Sequence, residues 1–100
     1  MALYLVVHSP VDPDDPTVHP PSRLLDLART HGEADARPRW LRAWSPDLHD
    51  DRIFTLWEAE SAAEIGRTLD AYGFLNHMVA QALQVREWGP ADVIVAEGRV

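Results

Sequence analysis

The chain has 100 residues, of which 46% are hydrophobic and 25% charged, a balance typical of one globular domain. Its formal net charge of -7 excludes nucleic acid as a partner, because such binding needs Lys and Arg to neutralise phosphates. The sequence contains neither cysteine nor lysine, which excludes disulfides, thiolate nucleophiles, thiolate metal sites and Schiff-base chemistry.

The first predicted element is a buried strand over residues 3–8, LYLVVH, ended by Ser9-Pro10. This apolar run is far shorter than the ~20 residues of a membrane span and has no basic segment before it. We therefore expect a cytoplasmic protein without a membrane partner. Residues 9–21 are rich in proline and aspartate and predict a loop.

Residues 22–32 predict the first helix, with apolar residues at helical spacing and Gly32 to end it. Residues 38–47 and 52–59 predict two strands joined by the polar turn LHDD, a hairpin. The sequence SAAE at 61–64 matches a capping box and starts a second helix that runs to Gly73. His31, in the last turn of the first helix, is interpreted as structural.

The C-terminal part of the chain predicts a last strand and a short extension. Helical spacing of apolar residues continues over about two turns after Gly73, and LQVREW then alternates like a strand. Residues 89–100 are interpreted as an extension containing a short extra strand. Together the elements predict an α+β, ferredoxin-like βαββαβ domain spanning 1–100, with a four-stranded antiparallel sheet and two helices on one face.

Both faces of the predicted sheet are apolar. In the first strand Leu3, Leu5 and Val7 oppose Tyr4 and Val6. Two helices cover one face, so the other would leave an apolar patch larger than monomers normally expose. We therefore expect a homodimer formed through the sheet face.

The order of elements resembles the dimeric α+β-barrel superfamily of ferredoxin-like proteins. The residues that carry the resemblance are IFTLWEAESAAEI at 53–65, which runs from strand to capped helix, and YGFLNHM at 72–78. Residues 51–88 look most like a group of small, mostly uncharacterised bacterial proteins, some of which bind nickel. The resemblance implies a ligand between sheet and helices, and the superfamily includes cofactor-free monooxygenases, haem-degrading enzymes and isomerases.

The haem-degrading pattern fits this chain incompletely. That branch pairs a strand tryptophan with a helix histidine and an asparagine near the start of the chain. Trp57 and His77 are candidates for the first two, but the first strand holds no asparagine and the gap between Trp57 and His77 is too long. The resemblance therefore predicts the fold more specifically than the activity.

Histidines provide a candidate transition-metal site, because neutral imidazole is the commonest ligand for such metals. The first and third strands of this fold are antiparallel neighbours, which brings the end of one and the start of the other together. We therefore expect His8 and His49 at one end of the sheet, with Asp50 or Asp51 as carboxylate ligands. A wet, polar sheet end without metal is the alternative.

His77 and several aromatic and Arg residues provide a candidate ligand pocket. His77 would be the catalytic general base, next to Trp57 or Tyr72, with Arg42 or Arg86 stabilising an anion. Trp40, Arg42 and Trp44 are expected on one face of the second strand, where they would grip a flat anionic ligand. A structural His77 and an Arg stacked at a dimer interface are the alternatives.

Two functional hypotheses of different classes stay open, beside a dimer without a ligand. The first is a homodimer that binds a small aromatic or anionic molecule, with or without catalysis as a cofactor-independent monooxygenase or isomerase. The second is a non-catalytic protein that binds nickel or a similar divalent transition metal. No Walker, dinucleotide-binding, GxSxG or HExxH motif occurs, which disfavours the enzymes those motifs mark.

Overall fold

The structure, a computed structural model, describes residues 1–11, 23–46, 51–76 and 78–98. These residues form an α+β fold with a four-stranded antiparallel sheet and three α-helices. In chain order the elements are β1 (Ala2–Pro10), α1 (Leu24–His31), β2 (Arg39–Trp44), β3 (Ile53–Ala59), α2 (Ala62–Ala71), a 3-10 turn (Phe74–Asn76), β4 (Met78–Val85) and α3 (Pro90–Glu97).

The sheet order is β2-β3-β1-β4, which makes β1 and β3 the two central strands. Every neighbouring pair of strands is antiparallel. The predicted adjacency of the first and third strands is confirmed, and His8, near the end of β1, lies opposite Ile53 at the start of β3. This arrangement is compatible with the ferredoxin-like fold. β1 continues through Pro10, two residues beyond its predicted end.

One sheet face, the inner face, packs against α1 and α2. Tyr4, Val6 and Trp57 from the central strands are buried there with Leu27 of α1 and Ile65 and Leu69 of α2 in one core cluster. Val6, Trp57 and Ala59 are completely buried. Because both helices contribute to the same cluster, they cover the same face, as the order of elements predicted.

Local signals explain where α2 begins and ends. Ser61 is its N-cap, and the Ser61 hydroxyl accepts the Glu64 backbone N–H at 3.2 Å. The Glu64 carboxylate reaches back and accepts the Glu60 N–H at 2.8 Å. After α2, Gly73 has a φ of 78°, a left-handed conformation that favours glycine. The predicted cap is thus confirmed, with Glu64 reaching Glu60 rather than Ser61.

Two predicted elements in the C-terminal part are wrong. The helical spacing of Leu75, Met78, Val79 and Ala82 does not form a helix, since β4 begins at Met78 and pairs with β1 along its whole length. Both faces of β4 carry apolar residues, and such a strand matches a helical pattern by chance.

The predicted extra strand in the extension is instead the helix α3. Pro90 stands at its start, where its missing N–H costs nothing. The Asp92 carboxylate accepts the Gly89 N–H at 2.8 Å and caps the first turn. These helix-start signals outweigh the strand preference of the β-branched residues at 93–95.

The outer face, on the side opposite α1 and α2, is also apolar. Its residues on the central strands, which lie opposite one another in register, are partly buried: Leu3, Leu5, Val7, Phe54 and Leu56. Toward the edges, Trp44, Val79 and Leu83 are 47%, 56% and 45% exposed. The prediction that both faces are apolar is confirmed.

A β-bulge in β2 divides its side chains between the two faces. Trp40 is paired with Trp57, whereas Arg42 is paired with Leu56 and Trp44 with Phe54, with a register shift between Trp40 and Arg42. Paired residues of antiparallel strands share a face. Trp40 therefore lies on the inner face, and Arg42 and Trp44 lie on the outer face.

Candidate functional site

Three polar side chains meet inside the apolar inner face. The hydroxyl oxygen of Thr55 lies 2.7 Å from Nε2 of His8, and it accepts the indole N–H of Trp57 at 2.8 Å. His8 and Trp57 are completely buried and Thr55 is 4% exposed. β1 and β3 position this group, since Val6 pairs with Thr55 and Tyr4 with Trp57. We call His8, Thr55 and Trp57 the polar triad.

The hydrogen-bond inventory of the triad determines where the protons lie. The Thr55 hydroxyl accepts from Trp57, and Nε2 of His8 is the one acceptor that the described residues place within reach of its proton. His8 then carries its proton on Nδ1. The opposite tautomer would leave the Thr55 hydroxyl proton without an acceptor in the described part of the chain, which is costly in a buried site.

Nδ1 of His8 is buried and has no hydrogen-bond partner among the residues that the structure describes. Burial lowers the pKa of the His8 imidazole from 6.5 to about 4, because desolvation disfavours the charged ring. His8 is therefore neutral at physiological pH. Within the described ranges the site thus presents one N–H donor without an acceptor, in a ring that lies beside Phe74.

Phe74 and a row of alanines border this donor. The Phe74 ring lies 5.8 Å from the His8 imidazole, tilted by 50°. Opposite His8 on β4 stands Ala80, and Val6 faces Ala82, so β4 adds only small side chains to this part of the inner face. Phe74 directly follows Gly73, whose φ is 78°. Because glycine has no β-carbon, the backbone before the Phe74 ring adopts this conformation without steric strain.

A second aromatic group continues from Trp57 toward α1. Trp40 stacks on Trp57 with ring centroids 6.3 Å apart and an angle of 18°. His31 lies 6.4 Å from Trp57 and 5.6 Å from Tyr72, and its Nδ1–H donates to the Pro38 carbonyl at 2.8 Å. The structural interpretation of His31 fits these contacts, since its ring fixes α1 to the segment before β2.

The structure brings only part of the predicted ligand-binding set together. Trp40, Trp57 and Tyr72 belong to the core or pack against it on the inner face. Arg42 and Trp44 lie on the outer face because of the bulge, so the prediction that Trp40, Arg42 and Trp44 share a face is wrong. Arg86 is exposed beyond the end of β4.

The predicted metal ligands cannot be assembled from the described residues. His8 is buried, and the Thr55 hydroxyl engages its Nε2. Asp51 is exposed beyond the start of β3, and His49 and Asp50 lie outside the described residues. Within the described ranges no group of three His, Cys, Asp or Glu side chains is arranged to hold a metal ion. The predicted catalytic residue His77 also lies outside the described residues.

Two residues of this site were not predicted as functional, Thr55 and Phe74. The sequence does contain a signal for Thr55: in IFTLW it shares the face of Trp57, so a hydroxyl stands on the buried side of a central strand. His8 likewise shares the face of Tyr4 and Val6. A polar residue at such a position needs a partner, which is what the two residues provide for each other.

A scan against protein-family models, a search of curated proteins and a search of solved structures each gave no match to the chain. None of the helices in the described part of the chain is both long and apolar enough to cross a membrane.

Proposed function

We propose that this protein is a ferredoxin-like homodimer that binds a small aromatic molecule between sheet and helices, through a hydrogen-bond acceptor on that molecule. The observation that supports this is the unused Nδ1–H of His8, buried against Phe74. A buried donor without an acceptor costs about 1–3 kcal/mol, which a ligand carbonyl or hydroxyl would recover. Trp57, linked to His8 through the Thr55 hydroxyl, supplies aromatic surface on the same face of the sheet.

The chemistry around His8 favours a neutral acceptor over an anion. The described contacts of the imidazole are with Thr55 and Phe74, neither of which carries charge. An anion buried there without a cation would carry a large desolvation cost. We therefore narrow the expected aromatic or anionic ligand to an aromatic one with a neutral carbonyl or hydroxyl group.

Ligand entry requires movement, because the His8 side chain is fully enclosed. We propose that Phe74 swings away from the imidazole and that the left-handed Gly73 provides the hinge. The vacated space would then be bordered by His8 on β1 and by Ala80 and Ala82 on β4. This route keeps the buried core residues on α1 and α2 in place.

If the bound molecule is transformed, His8 supports a different role from a general base. A neutral imidazole N–H polarises a carbonyl or stabilises an enolate, and a pKa of about 4 makes this ring a weak proton acceptor at neutral pH. Proton abstraction would remain with His77. An isomerase or a cofactor-independent monooxygenase would need both residues, and binding alone needs only His8.

The test compares two ligands of nearly equal shape, 1,4-naphthoquinone, which has carbonyl acceptors, and naphthalene, which has none. Each is titrated against the tryptophan fluorescence of the purified protein. We expect the quinone to bind at least about tenfold more tightly, the effect of one hydrogen bond worth about 1.4 kcal/mol. Equal affinities would contradict the role of Nδ1.

Two substitutions of His8 separate its nitrogens. An Asn amide at position 8 places a donor near the position of Nδ1, and a Gln amide reaches the position of Nε2. We expect His8→Asn to retain the preference for the quinone and His8→Gln to lose it. The opposite pattern would assign the donor to Nε2 and overturn the proton placement.

Elemental analysis of the purified protein tests the metal alternative, in which stoichiometric nickel would depend on His8 and His49.

A further inference from the structure

The C-terminal helix α3 is folded but makes no extended contact with the other elements that the structure describes. All of its residues are exposed, including Val93, Ile94 and Val95 at 43%, 69% and 59%. Trp88, just before the helix, is 73% exposed. No other described strand or helix makes extended contact with α3. We call residues 88–97 the C-terminal arm.

A helix of this length needs a packing partner. Isolated helices shorter than about 12 residues are marginal in water, and local caps alone do not make them stable. α3 has eight residues, and three of them in succession are β-branched and apolar. Its start is capped by Asp92, so the helical state is encoded locally, but its apolar surface is left in solvent.

Besides α3, the outer face of the sheet is an apolar surface on which no described helix packs. Four strands at about 4.8 Å spacing and about seven residues in length give a surface of roughly 450 Å². One eight-residue helix is about 12 Å long and 10 Å wide and cannot cover it. A second copy of the sheet can, which is the dimer that the proposed function includes.

The area of such a dimer indicates what the arm contributes. With the outer face of β2 left to the partner's arm, three strands of each sheet remain in contact and give on the order of 660 Å², less than the roughly 1,200 Å² at which stable interfaces begin. The four apolar residues of each arm add roughly 60–120 Å² apiece. With both arms packed on the partner, the interface reaches the standard size.

Charge indicates where the arm would lie. The C-terminal arm contains Asp92 and Glu97 and no basic residue. On the outer face β2 carries Arg39 and Arg42, opposite Glu58 and Leu56. The Nε atom of Arg39 is buried and lacks a hydrogen-bond partner among the described residues. The β2 edge thus combines the exposed Trp44 with cations that complement the acidic arm.

We propose that the C-terminal arm of each protomer packs along the outer face of β2 in a second copy of this chain, closing the rim of a dimer formed sheet to sheet. This inference rests on the homodimer in the proposed function and adds the segment that completes it. The partner of the arm is thus another copy of the chain. Ile94 and Trp88 of the arm would pack on Trp44 of the partner. Asp92 and Glu97 would lie near Arg39 and Arg42.

Because the chain has no cysteine, single cysteines can be placed without background. Ile94→Cys protein is mixed with Arg42→Cys protein and treated with a short bis-maleimide. We expect a covalent heterodimer from this pair. Ile94→Cys mixed with Val79→Cys, on the opposite edge of the same face, is the control and should give little product. Intramolecular linkage in the Ile94→Cys, Val79→Cys double variant would show that the arm folds back on its own sheet and would overturn the proposal.

Sedimentation equilibrium of the full chain measures the energetics of the arm. Ile94→Asp should weaken dimerisation at least about tenfold. Ala91→Asp adds the same charge to an exposed small residue of the same helix, and it should change the dimer Kd less than about threefold. Both variants should melt like the unaltered chain when dilute, because neither residue is buried.

The outcomes separate the arm from the dimer itself. If Ile94→Asp leaves dimerisation unchanged while Leu83→Asp, on the outer face, abolishes it, the dimer stands and the arm is overturned. If the unaltered chain is monomeric at about 100 μM, where even a weak specific dimer would form, both ideas are overturned. Loss of ligand preference in a dimer with intact arms would instead count against the His8 site alone.

Discussion

The Nε2 atom of His8 lies 2.7 Å from the hydroxyl oxygen of Thr55, on the neighbouring central strand. The same hydroxyl accepts the indole N–H of Trp57 at 2.8 Å, so the Thr55 hydroxyl is the hydrogen-bond partner of both larger side chains. A change at position 55 therefore acts on three buried residues. The polar triad is both a stability element and the part of the core that bears the unused donor.

Thr55→Val tests the triad. Valine has nearly the same shape, but Nε2 of His8 and the Trp57 N–H lose their partner, and each buried orphan costs about 1–3 kcal/mol. We expect a loss of roughly 2–5 kcal/mol in the free energy of unfolding, measured in urea. Thr68→Val is the matched control, since the Thr68 hydroxyl donates to the Glu64 carbonyl within α2 and its loss should cost about 1 kcal/mol or less. Equal costs would contradict the triad.

The lowered pKa of His8 predicts a pH dependence of stability. Its folded pKa of about 4 lies below the unfolded value of 6.5, so below pH 6.5 the unfolded state binds a proton that the native state does not. The contribution of His8 is complete above pH 6.5 and is lost as the pH falls to about 4. At about 1.4 kcal/mol per pKa unit, the loss is on the order of 3 kcal/mol.

Urea unfolding at several pH values between 4 and 7 measures this slope. His8→Gln removes the titrating group and should flatten the curve between pH 4 and 6.5. His31→Gln is the comparison, since His31 is partly exposed and its ring is not enclosed like that of His8. A His8→Gln protein with an unchanged slope would show that other groups cause the acid sensitivity.

Trp40 and Trp44 are expected to behave differently because the bulge places them on opposite faces. Trp40 stacks on the buried Trp57, so Trp40→Ala should cost about 2–3 kcal/mol of unfolding free energy. Trp44 is 47% exposed, and Trp44→Ala should cost less than about 1 kcal/mol in dilute protein. Thermal unfolding at low micromolar concentration compares the two. Similar losses would contradict the location of the two side chains on opposite faces of the sheet.

Substitution by alanine is expected to change stability in opposite directions at Gly66 and Gly73. Gly66 lies within α2, where a β-carbon would meet nothing within 4 Å. Gly66→Ala should therefore stabilise the protein by up to about 1 kcal/mol. Gly73→Ala should destabilise it by about 1–2 kcal/mol, because a φ of 78° strains any residue with a β-carbon. Circular dichroism melts of both variants test this, and destabilisation by Gly66→Ala would contradict it.

The sequence predicted the central architecture because strong periodicity and turn signals agree there. The alternation of Leu3, Tyr4, Leu5 and Val6 identified a central strand with two apolar faces, and both faces are as expected. Ser61 and Glu64 located the start of α2 to the residue. Such signals act over a few neighbouring residues, which is the range over which sequence reasoning is reliable.

Features that depend on pairing between strands were not predictable. The register of β2 changes at the bulge, and no residue in RWLRAW signals the extra position, so Trp40 was expected to share a face with Arg42 and Trp44. For Met78 and its neighbours, pairing with β1 overrides an accidental helical spacing. The bond between His8 and Thr55 joins residues 47 positions apart, and only the register brings them together.

The bulge in β2 also makes the two borders of the sheet unequal as templates for further strands. An uninterrupted edge offers a row of unpaired N–H and C=O groups to any passing strand, and a bulge with flanking charges disrupts that row. β2 has both the bulge and Arg39 and Arg42, whereas the ladder of β4 with β1 runs from Met78 to Val85 without a shift. Uncontrolled strand addition, and hence aggregation, would therefore start at β4.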